Sequence, residues 1–184
     1  MIVRPATIAD IDTILAWRRE RSEWLARRGE NQWSVPWPRS AVSIAVEAGQ
    51  TWIVAEGDDS RASITLTAWA DVDGLWKLNK RADPLWYDED DPVDALYASK
   101  LMVPVEHAGN GLGGEILDWA GGRAYEAGLA WLRLEAWTTN TNLHRYYLGQ
   151  GFRHVRTVST RTSGWCAPRA TRPYVGTRLE LVPR

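Results

Sequence analysis

An α/β fold is predicted for this chain of 184 residues by three consecutive segments in its second half. Leu96–Val103 has the composition of a strand and leads into a loop rich in glycine. Apolar residues then recur at helical spacing over Leu112–Gly128, and Trp131–Trp137 has the pattern of a second strand. A strand, a loop, a helix and a strand in this order normally form a right-handed crossover between parallel strands. The length suits a single domain over Met1–Arg184.

The elements before and after this unit are predicted from short local signals. Ile2–Arg4 is expected to be a strand, and a capping box formed by Thr7 and Asp10 predicts a long first helix. The loop Arg27–Pro38, rich in Trp and Pro, separates that helix from a short one ending near Ala48. The remaining expected elements are, in chain order, strands at Trp52–Ala55 and Ala62–Ala70, an irregular region at Asp71–Asp94, and strands near His154–Ser159 and Thr177–Val182.

Composition and charge exclude several classes of protein. The net charge is −1 and the basic residues are scattered, so we expect no nucleic-acid groove. Cys166 is the only cysteine, which excludes an internal disulfide framework and fits a reducing compartment. The N-terminal segment has no long apolar stretch, so we expect no secretion signal, no membrane association and a cytoplasmic location.

The glycine-rich loop is predicted to bind a phosphate group. Four of its residues are glycines, which allow close backbone approach, and the helix that follows offers free N–H groups: Gly109, Gly111, Gly113 and Gly114. No Lys-Ser or Lys-Thr follows them, which excludes a Walker A loop. The spacing also fits a dinucleotide fingerprint, with Glu135 as its acidic residue. The long approach from Val103 and the short remaining chain disfavour that interpretation.

Two motifs in a fixed order carry the most specific signal. In the first, Val103 precedes Ala108-Gly109-Asn110-Gly111-Leu112-Gly113; in the second, Asn140 is followed by Tyr147 and then by Gly151-Phe152. The region from Leu96 to Val158 thereby resembles the GNAT superfamily of N-acetyltransferases. That family usually has Arg or Gln where this chain has Ala108, so a side-chain contact to pyrophosphate is expected to be missing. His107 and Arg123 are candidates to replace it.

The resemblance implies a fold, a cosubstrate and roles for particular residues. The implied fold is a single domain with a central mixed, mostly antiparallel sheet, splayed between two adjacent parallel strands and flanked by helices. The implied cosubstrate is acetyl-CoA, and no metal is expected. Its pantetheine arm would contact the backbone of Leu101, Met102 and Val103. The remaining implied cofactor contacts are Ala108, Gly109, Asn110, Gly111, Leu112, Gly113, Gly114 and Asn140.

Tyr147 matches the tyrosine that members of this family use to protonate the leaving thiolate. A phenol with a pKa near 10 is protonated at neutral pH and can act as a general acid. The alternative is that Tyr147 is only a packed aromatic residue. For Asn140 a helix cap and a cofactor contact are equally open.

The acceptor site and the general base are less well defined by the sequence. Trp33 and Trp37 lie in the loop between the first two helices, where they either line an acceptor pocket or anchor the loop. Trp69, Trp76 and Trp86 are ambiguous in the same way. The acidic run Asp88–Asp91 with Asp94 is expected to be a solvated loop. Four carboxylates, or ordered water, are candidates for the base: Asp71, Asp73, Glu106 and Glu135.

The resemblance therefore implies an N-acetyltransferase that moves an acetyl group from acetyl-CoA to an amine of a small molecule or peptide by direct attack. We expect a monomer or homodimer. Two alternatives stay open. One is a non-catalytic acyl-CoA-binding module, and the other is a protein-binding surface formed by the Trp-rich loops.

Overall fold

Two interleaved units of strands and helices make up the computed structural model, which describes residues 1–69, 85–86, 88–158, 163–176 and 178–182. The first unit comprises Met1–Leu66, Lys100–Ile116 and Val175–Arg184. The second comprises Thr67–Ser99 and Leu117–Tyr174. Within the described ranges, no helix reaches the length and hydrophobicity of a bilayer span.

The first unit is built on four strands in the order β8-β1-β2-β3. Its strands are β1 Ile2–Pro5, β2 Thr51–Glu56, β3 Asp59–Thr67 and β8 Glu180–Leu181, and its helices are α1 Ile11–Ala26 and α2 Arg39–Glu47. β1 and β8 are parallel, and the other neighbours are antiparallel. A hairpin turn with Gly57 in the left-handed region (φ +61°) joins β2 to β3.

The apolar faces of α1 and α2 form the core of the first unit against the strands. Its buried members are Ala6, Ile11, Ile14, Val42, Val46, Ile53 and Ala55. The predicted start of α1 is reinforced by Asp10, whose carboxylate accepts from the Thr7 N–H at 2.7 Å and from both Arg4 Nη atoms at 2.7 and 2.8 Å. The N-terminal strand is thereby tied to the first helix.

The second unit contains a parallel pair of strands within an otherwise antiparallel arrangement, in the order β4-β5-β7-β6. Its strands are β4 Ala95–Met102, which ends in the first unit, β5 Trp131–Trp137, β6 Arg156–Thr157 and β7 Ser163–Ala170. Its helices are α3 Leu112–Glu126, which begins in the first unit, and α4 Thr141–Gly149. The strand, loop, helix and strand unit predicted from the sequence is therefore present, with β4 parallel to β5.

Three expectations need correction. No strand was predicted over the residues of β7, which include Gly164 and Pro168, two residue types uncommon in strands. The structure nevertheless pairs β7 with β5 along its length, and the Pro168 carbonyl accepts from the Arg153 N–H at 2.9 Å. The expected strands at His154–Ser159 and Thr177–Val182 are present only as β6 and β8.

The acidic run before β4 is not simply a solvated loop. Asp90 forms an ion pair with Arg156, and its carbonyl accepts from the buried guanidinium of Arg133. Asp94 Oδ1 accepts from the Ala130 N–H at 2.8 Å. Two of the five acidic residues of this cluster, Asp90 and Asp94, therefore make side-chain contacts within the second unit. Of the predicted irregular region, only residues 85–86 and 88–94 are described. Asp71 and Asp73 lie outside the described residues.

Candidate active site

The glycine loop connects β4 to α3 and is shaped by two glycines in the left-handed region. After β4 ends, Val105–His107 form one 3₁₀ turn. Gly109 and Gly111 follow with φ of +86° and +78°, values that other residues adopt only with strain. α3 begins at Leu112, directly after the second of these glycines. The backbone thus turns at Gly109 and Gly111, and α3 begins directly after this turn.

Five consecutive N–H groups in this loop have no acceptor among the described residues. They belong to Gly109–Gly113, and the first hydrogen bonds of α3 are made only by Gly114 and Glu115, whose N–H groups donate to the Gly111 carbonyl at 3.0 and 3.1 Å. Free N–H groups at a helix N-terminus, with the positive end of the helix dipole behind them, favour an anion. The geometry is therefore that of a phosphate cradle.

Arg178 lies beside the loop, close to the position where the sequence lacks a basic side chain. Ala108 itself is exposed and offers only backbone groups. The Arg178 guanidinium donates to the Asn110 carbonyl at 2.8 Å, and its Nη1 would lie 4.0 Å from a Cβ built on Gly111. Arg123 is in the last turn of α3, paired with Glu126, and so lies at the far end of the helix from the loop. Arg178 is therefore better placed than Arg123 to replace the basic side chain that the family usually has at the position of Ala108.

A cavity of about 340 Å³ borders the loop within the first unit. It is lined by Met1, Glu56, Arg61, His107, Asn110, Leu112 and Arg178. Arg61 is partly neutralised by Glu56 at 3.0 Å and Asp59 at 2.9 Å, and its Nη1 lies 3.4 Å from His107 Nδ1. Two arginines and a histidine consequently surround the outer side of the glycine loop.

Residues directly after β4 are hydrogen-bonded by side chains from the middle of α1. Arg21 Nε donates to the Val103 carbonyl at 2.7 Å, and Glu20 Oε2 accepts from the Val105 N–H at 3.2 Å. One acceptor site of the Val103 carbonyl, a residue predicted to face pantetheine, is therefore already used. Leu101 and Met102, the other predicted residues, precede it on β4, and Met102 is fully buried.

The parallel pairing of β4 with β5 covers only part of either strand. It runs from Ala95 opposite Trp131 to Ala98 opposite Leu134 and ends there, although β4 continues to Met102. β5 continues to Trp137 while paired with β7 on its other side. This early end of the pairing agrees with the splayed parallel strands that the resemblance implies.

Tyr147 lies in α4 among aromatic rings. It is 9% exposed, lies 5.8 Å from Phe152 in an edge-to-face arrangement and stacks on Trp165 at 6.4 Å. No described residue hydrogen-bonds to its hydroxyl group. Burial, with a smaller contribution from Tyr146, raises the pKa of Tyr147 above the ordinary value near 10. The phenol therefore stays protonated at neutral pH, with a free O–H to donate.

The segment after α4 is fixed by the buried side chain of Arg169. Its guanidinium donates to the carbonyls of Gln150 and Leu117 at 3.0 and 2.5 Å and forms an ion pair with Asp118 at 2.9 Å. It also lies over the Phe152 ring, 5.0 Å from the centroid. These contacts hold Gly151 and Phe152 in place, and the Phe152 ring in turn packs against Tyr147.

Asn140 caps α4, and Glu135 is engaged with a buried indole. Asn140 Oδ1 accepts from the Leu143 N–H at 3.0 Å, so the helix-cap interpretation is correct, while its cofactor contact stays a prediction. Glu135 Oε1 accepts from Trp86 Nε1 at 3.2 Å. Glu106 is exposed, 3.7 Å from His107. Among the described residues, no three His, Cys, Asp or Glu side chains are grouped as metal ligands.

The tryptophans divide into core and loop residues. Trp86 is 2% exposed and belongs to the core of the second unit, and Trp69 packs against that core. Trp76 lies outside the described residues. Trp33 and Trp37 form an edge-to-face pair at 5.7 Å, and both are half-buried in the loop between α1 and α2. Their predicted contact with an acceptor stays a prediction.

Two basic residues near the loop were missed by sequence reasoning. Arg21 is one of several charged residues on α1, a pattern typical of a solvated helix face, and Arg178 is isolated in the C-terminal segment. They lie 82 and 68 residues away from the groups they contact, Val103 and Asn110. No local pattern marks such residues, because neither belongs to a motif.

No protein-family model matches the chain. It is 26% identical over 151 residues to a Bacillus subtilis (strain 168) protein named "uncharacterized N-acetyltransferase YesJ", a match covering 80% of this chain and 79% of that protein.

Solved structures of acetyltransferases have the same fold. The GNAT-family acetyltransferase of Listeria monocytogenes 4b F2365 matches with a TM-score of 0.64 and 18% identity, over 91% of this chain and 93% of the other. The PaiA N-acetyltransferase of Thermoplasma acidophilum, solved with coenzyme A, matches with a TM-score of 0.65 and 14% identity, over 91% and 97%. The expected α/β fold class is thereby confirmed.

Proposed function

We propose that this chain, which has the fold of the GNAT acetyltransferases, is an N-acetyltransferase that transfers an acetyl group from acetyl-CoA to an amine by direct attack. The observation that carries the proposal is the run of unpaired N–H groups at Gly109–Gly113, beside the guanidinium of Arg178. The relative named as an N-acetyltransferase and the coenzyme A in the PaiA structure support it.

The residues of the loop fit a pyrophosphate. The N–H groups of Gly109–Gly113 would each donate to a phosphate oxygen, and hydrogen bonds to a charged acceptor are stronger than neutral ones. Arg178 would add the positive charge that Ala108 does not supply. The backbone of Leu101 and Met102 and the free lone pair of the Val103 carbonyl would hold the pantetheine arm. Acetyl-CoA supplies a thioester carbonyl that an amine can attack without a covalent enzyme intermediate.

Tyr147 would donate its proton to the sulfur atom that leaves. Its hydroxyl has no partner among the described residues, and its raised pKa keeps the phenol protonated at neutral pH. A thiol with a pKa near 8.5 is more acidic than this phenol, so complete transfer is uphill. We therefore expect the hydrogen bond from Tyr147 Oη to stabilise developing charge on sulfur before the proton moves.

The proposal is tested by calorimetric titration of the purified chain with coenzyme A, acetyl-CoA and NAD. We expect saturable binding of the first two and none of NAD, because the loop follows the acetyltransferase motif and not the dinucleotide turn. Thiol release from acetyl-CoA is then measured with a panel of primary amines. Binding without release for any amine would favour the non-catalytic acyl-CoA-binding module. Absence of binding to either coenzyme would refute the proposal.

A further inference from the structure

Two cationic side chains lie against the same indole ring in the first unit. Arg18 Cζ is 5.4 Å from the centroid of the Trp37 ring, and Lys100 Nζ is 5.7 Å from it. Arg18 lies in α1 and Trp37 in the loop before α2. Lys100 lies in β4, two residues before the end of the strand. Three distant segments thus bring two positive charges within 6 Å of one indole ring.

Neither cation is neutralised by a carboxylate of the described residues. None of the ion pairs among the described residues includes Arg18 or Lys100, and burial alone lowers the pKa of both. Arg18 is only 5% exposed, yet its Nε is buried without a hydrogen-bond partner, and one Nη donates to the Val35 carbonyl. A buried guanidinium stays charged and normally has its donors satisfied. An unpaired, desolvated cation pair is costly unless an anion is bound.

The backbone at Lys100 is strained. Its φ is +51°, in the left-handed region that favours glycine, although it lies within a strand. Such a residue breaks the alternation of side chains along β4. Strained residues of this kind are retained mainly at functional sites. The next residues of the same strand, Leu101 and Met102, are those proposed to hold the cosubstrate.

We propose that Arg18 and Lys100 bind the carboxylate of the acceptor, so that the substrate is an amine that also carries a carboxylate group. Trp37 would support the aliphatic part of that substrate between the two cations. The proposal rests on the proposed function, because it assigns the substrate class of the same enzyme. It depends on the positions of Arg18, Trp37 and Lys100 and not on the glycine loop, so the two proposals can fail separately.

Matched pairs of acceptors test this substrate class. The full chain is assayed for acetyl-CoA-dependent thiol release with the L-amino acids and β-alanine, each compared with its own carboxamide, which lacks the negative charge. We expect kcat/KM to be at least about 30-fold higher for the carboxylate of the preferred pair, which is about 2 kcal/mol. Equal or better use of the carboxamides would overturn the proposal. So would the absence of turnover with every carboxylate-bearing amine while coenzyme A binds; loss of coenzyme A binding would also remove the proposed function.

Three variants separate charge recognition from packing. Lys100→Met keeps the apolar contact with Trp37 and removes the charge, and we expect it to raise KM for the carboxylate acceptor by about 30-fold and to abolish the preference over the carboxamide. Lys100→Arg should recover part of that preference. Arg39→Gln removes an exposed arginine that is paired with Asp12 and should change neither value. The affinity for coenzyme A should be the same in all three. A preference that survives in Lys100→Met would overturn the assignment.

Discussion

Replacing Gly111 with alanine tests whether the glycine loop binds the cosubstrate through its backbone. Gly111 has a φ of +78°, and a Cβ at this position would meet only Arg178 Nη1, at 4.0 Å. The substitution therefore causes no steric overlap and introduces backbone strain alone. Gly128 offers a matched control at the other end of α3, because its φ is +75° and a Cβ there meets nothing within 4 Å.

The expected magnitudes follow from this geometry. An L-residue in the left-handed region costs about 1–2 kcal/mol, so Gly111→Ala and Gly128→Ala should lose similar free energies of unfolding. If the loop relaxes by turning its peptide groups, one or more of the N–H groups of Gly109–Gly113 point away from the pyrophosphate. Each hydrogen bond to a charged group contributes about 1.5–3 kcal/mol. We therefore expect the Kd for coenzyme A to rise about 10- to 150-fold in Gly111→Ala and to stay unchanged in Gly128→Ala.

Two measurements on the same preparations decide the outcome. Urea unfolding gives the loss of stability, and calorimetric titration gives the Kd for coenzyme A. The two variants could lose the same stability while the Kd for coenzyme A in Gly111→Ala stays within about twofold of that of the original chain. This result would refute binding of the cosubstrate by the loop backbone, since the strain would then have no consequence for binding. An equal loss of affinity in both variants would point to a general effect of destabilisation.

Three further predictions follow from the remaining contacts. Tyr147→Phe should lower kcat about 100-fold with little change in the Kd for coenzyme A. In the unchanged chain, the raised pKa keeps the Tyr147 phenol protonated, so kcat should not fall through its ionisation below about pH 10. An effect on Kd as large as that on kcat would make Tyr147 a binding residue. Arg178→Ala should raise that Kd about twofold to fivefold at low salt and less at high salt, and a salt-independent change would contradict an electrostatic role. Gly122→Ala should lose about 1–3 kcal/mol in urea unfolding, because its Cβ would lie 2.4 Å from a carbon of Tyr174, whereas Gly149→Ala, with nothing within 4 Å, should be neutral or stabilising.

The local parts of the fold and site were accessible from sequence because their causes are local. The helical spacing of apolar residues in Leu112–Gly128 depends only on 3.6 residues per turn, and α3 ends two residues before the predicted limit. The left-handed φ at Gly109 and Gly111 follows from the need for residues without a Cβ at a sharp turn. The cap that Asn140 forms on α4 is also local, because its side chain accepts from the N–H group only three residues away.

Strand β7 shows where local signals fail. Gly164 and Pro168 argue against a strand, and only the pairing with β5 overrides that preference. Similarly, Asp90 and Asp94 belong to a charge run that would normally be solvated. Their partners, Arg156 and the Ala130 N–H, come from distant parts of the second unit.

The sequence by itself determined the chemistry that one continuous segment can perform: a backbone cradle for an anion at the start of α3, and a tyrosine within a helix of defined ends. Only the tertiary structure decided which isolated charges surround those segments. Arg178 beside Asn110, Arg21 on the Val103 carbonyl, and Arg18 with Lys100 against Trp37 join residues far apart in the chain. Hydrogen-bonding periodicity acts over a few residues and leaves a pattern, whereas the meeting of distant side chains depends on packing between elements and leaves none.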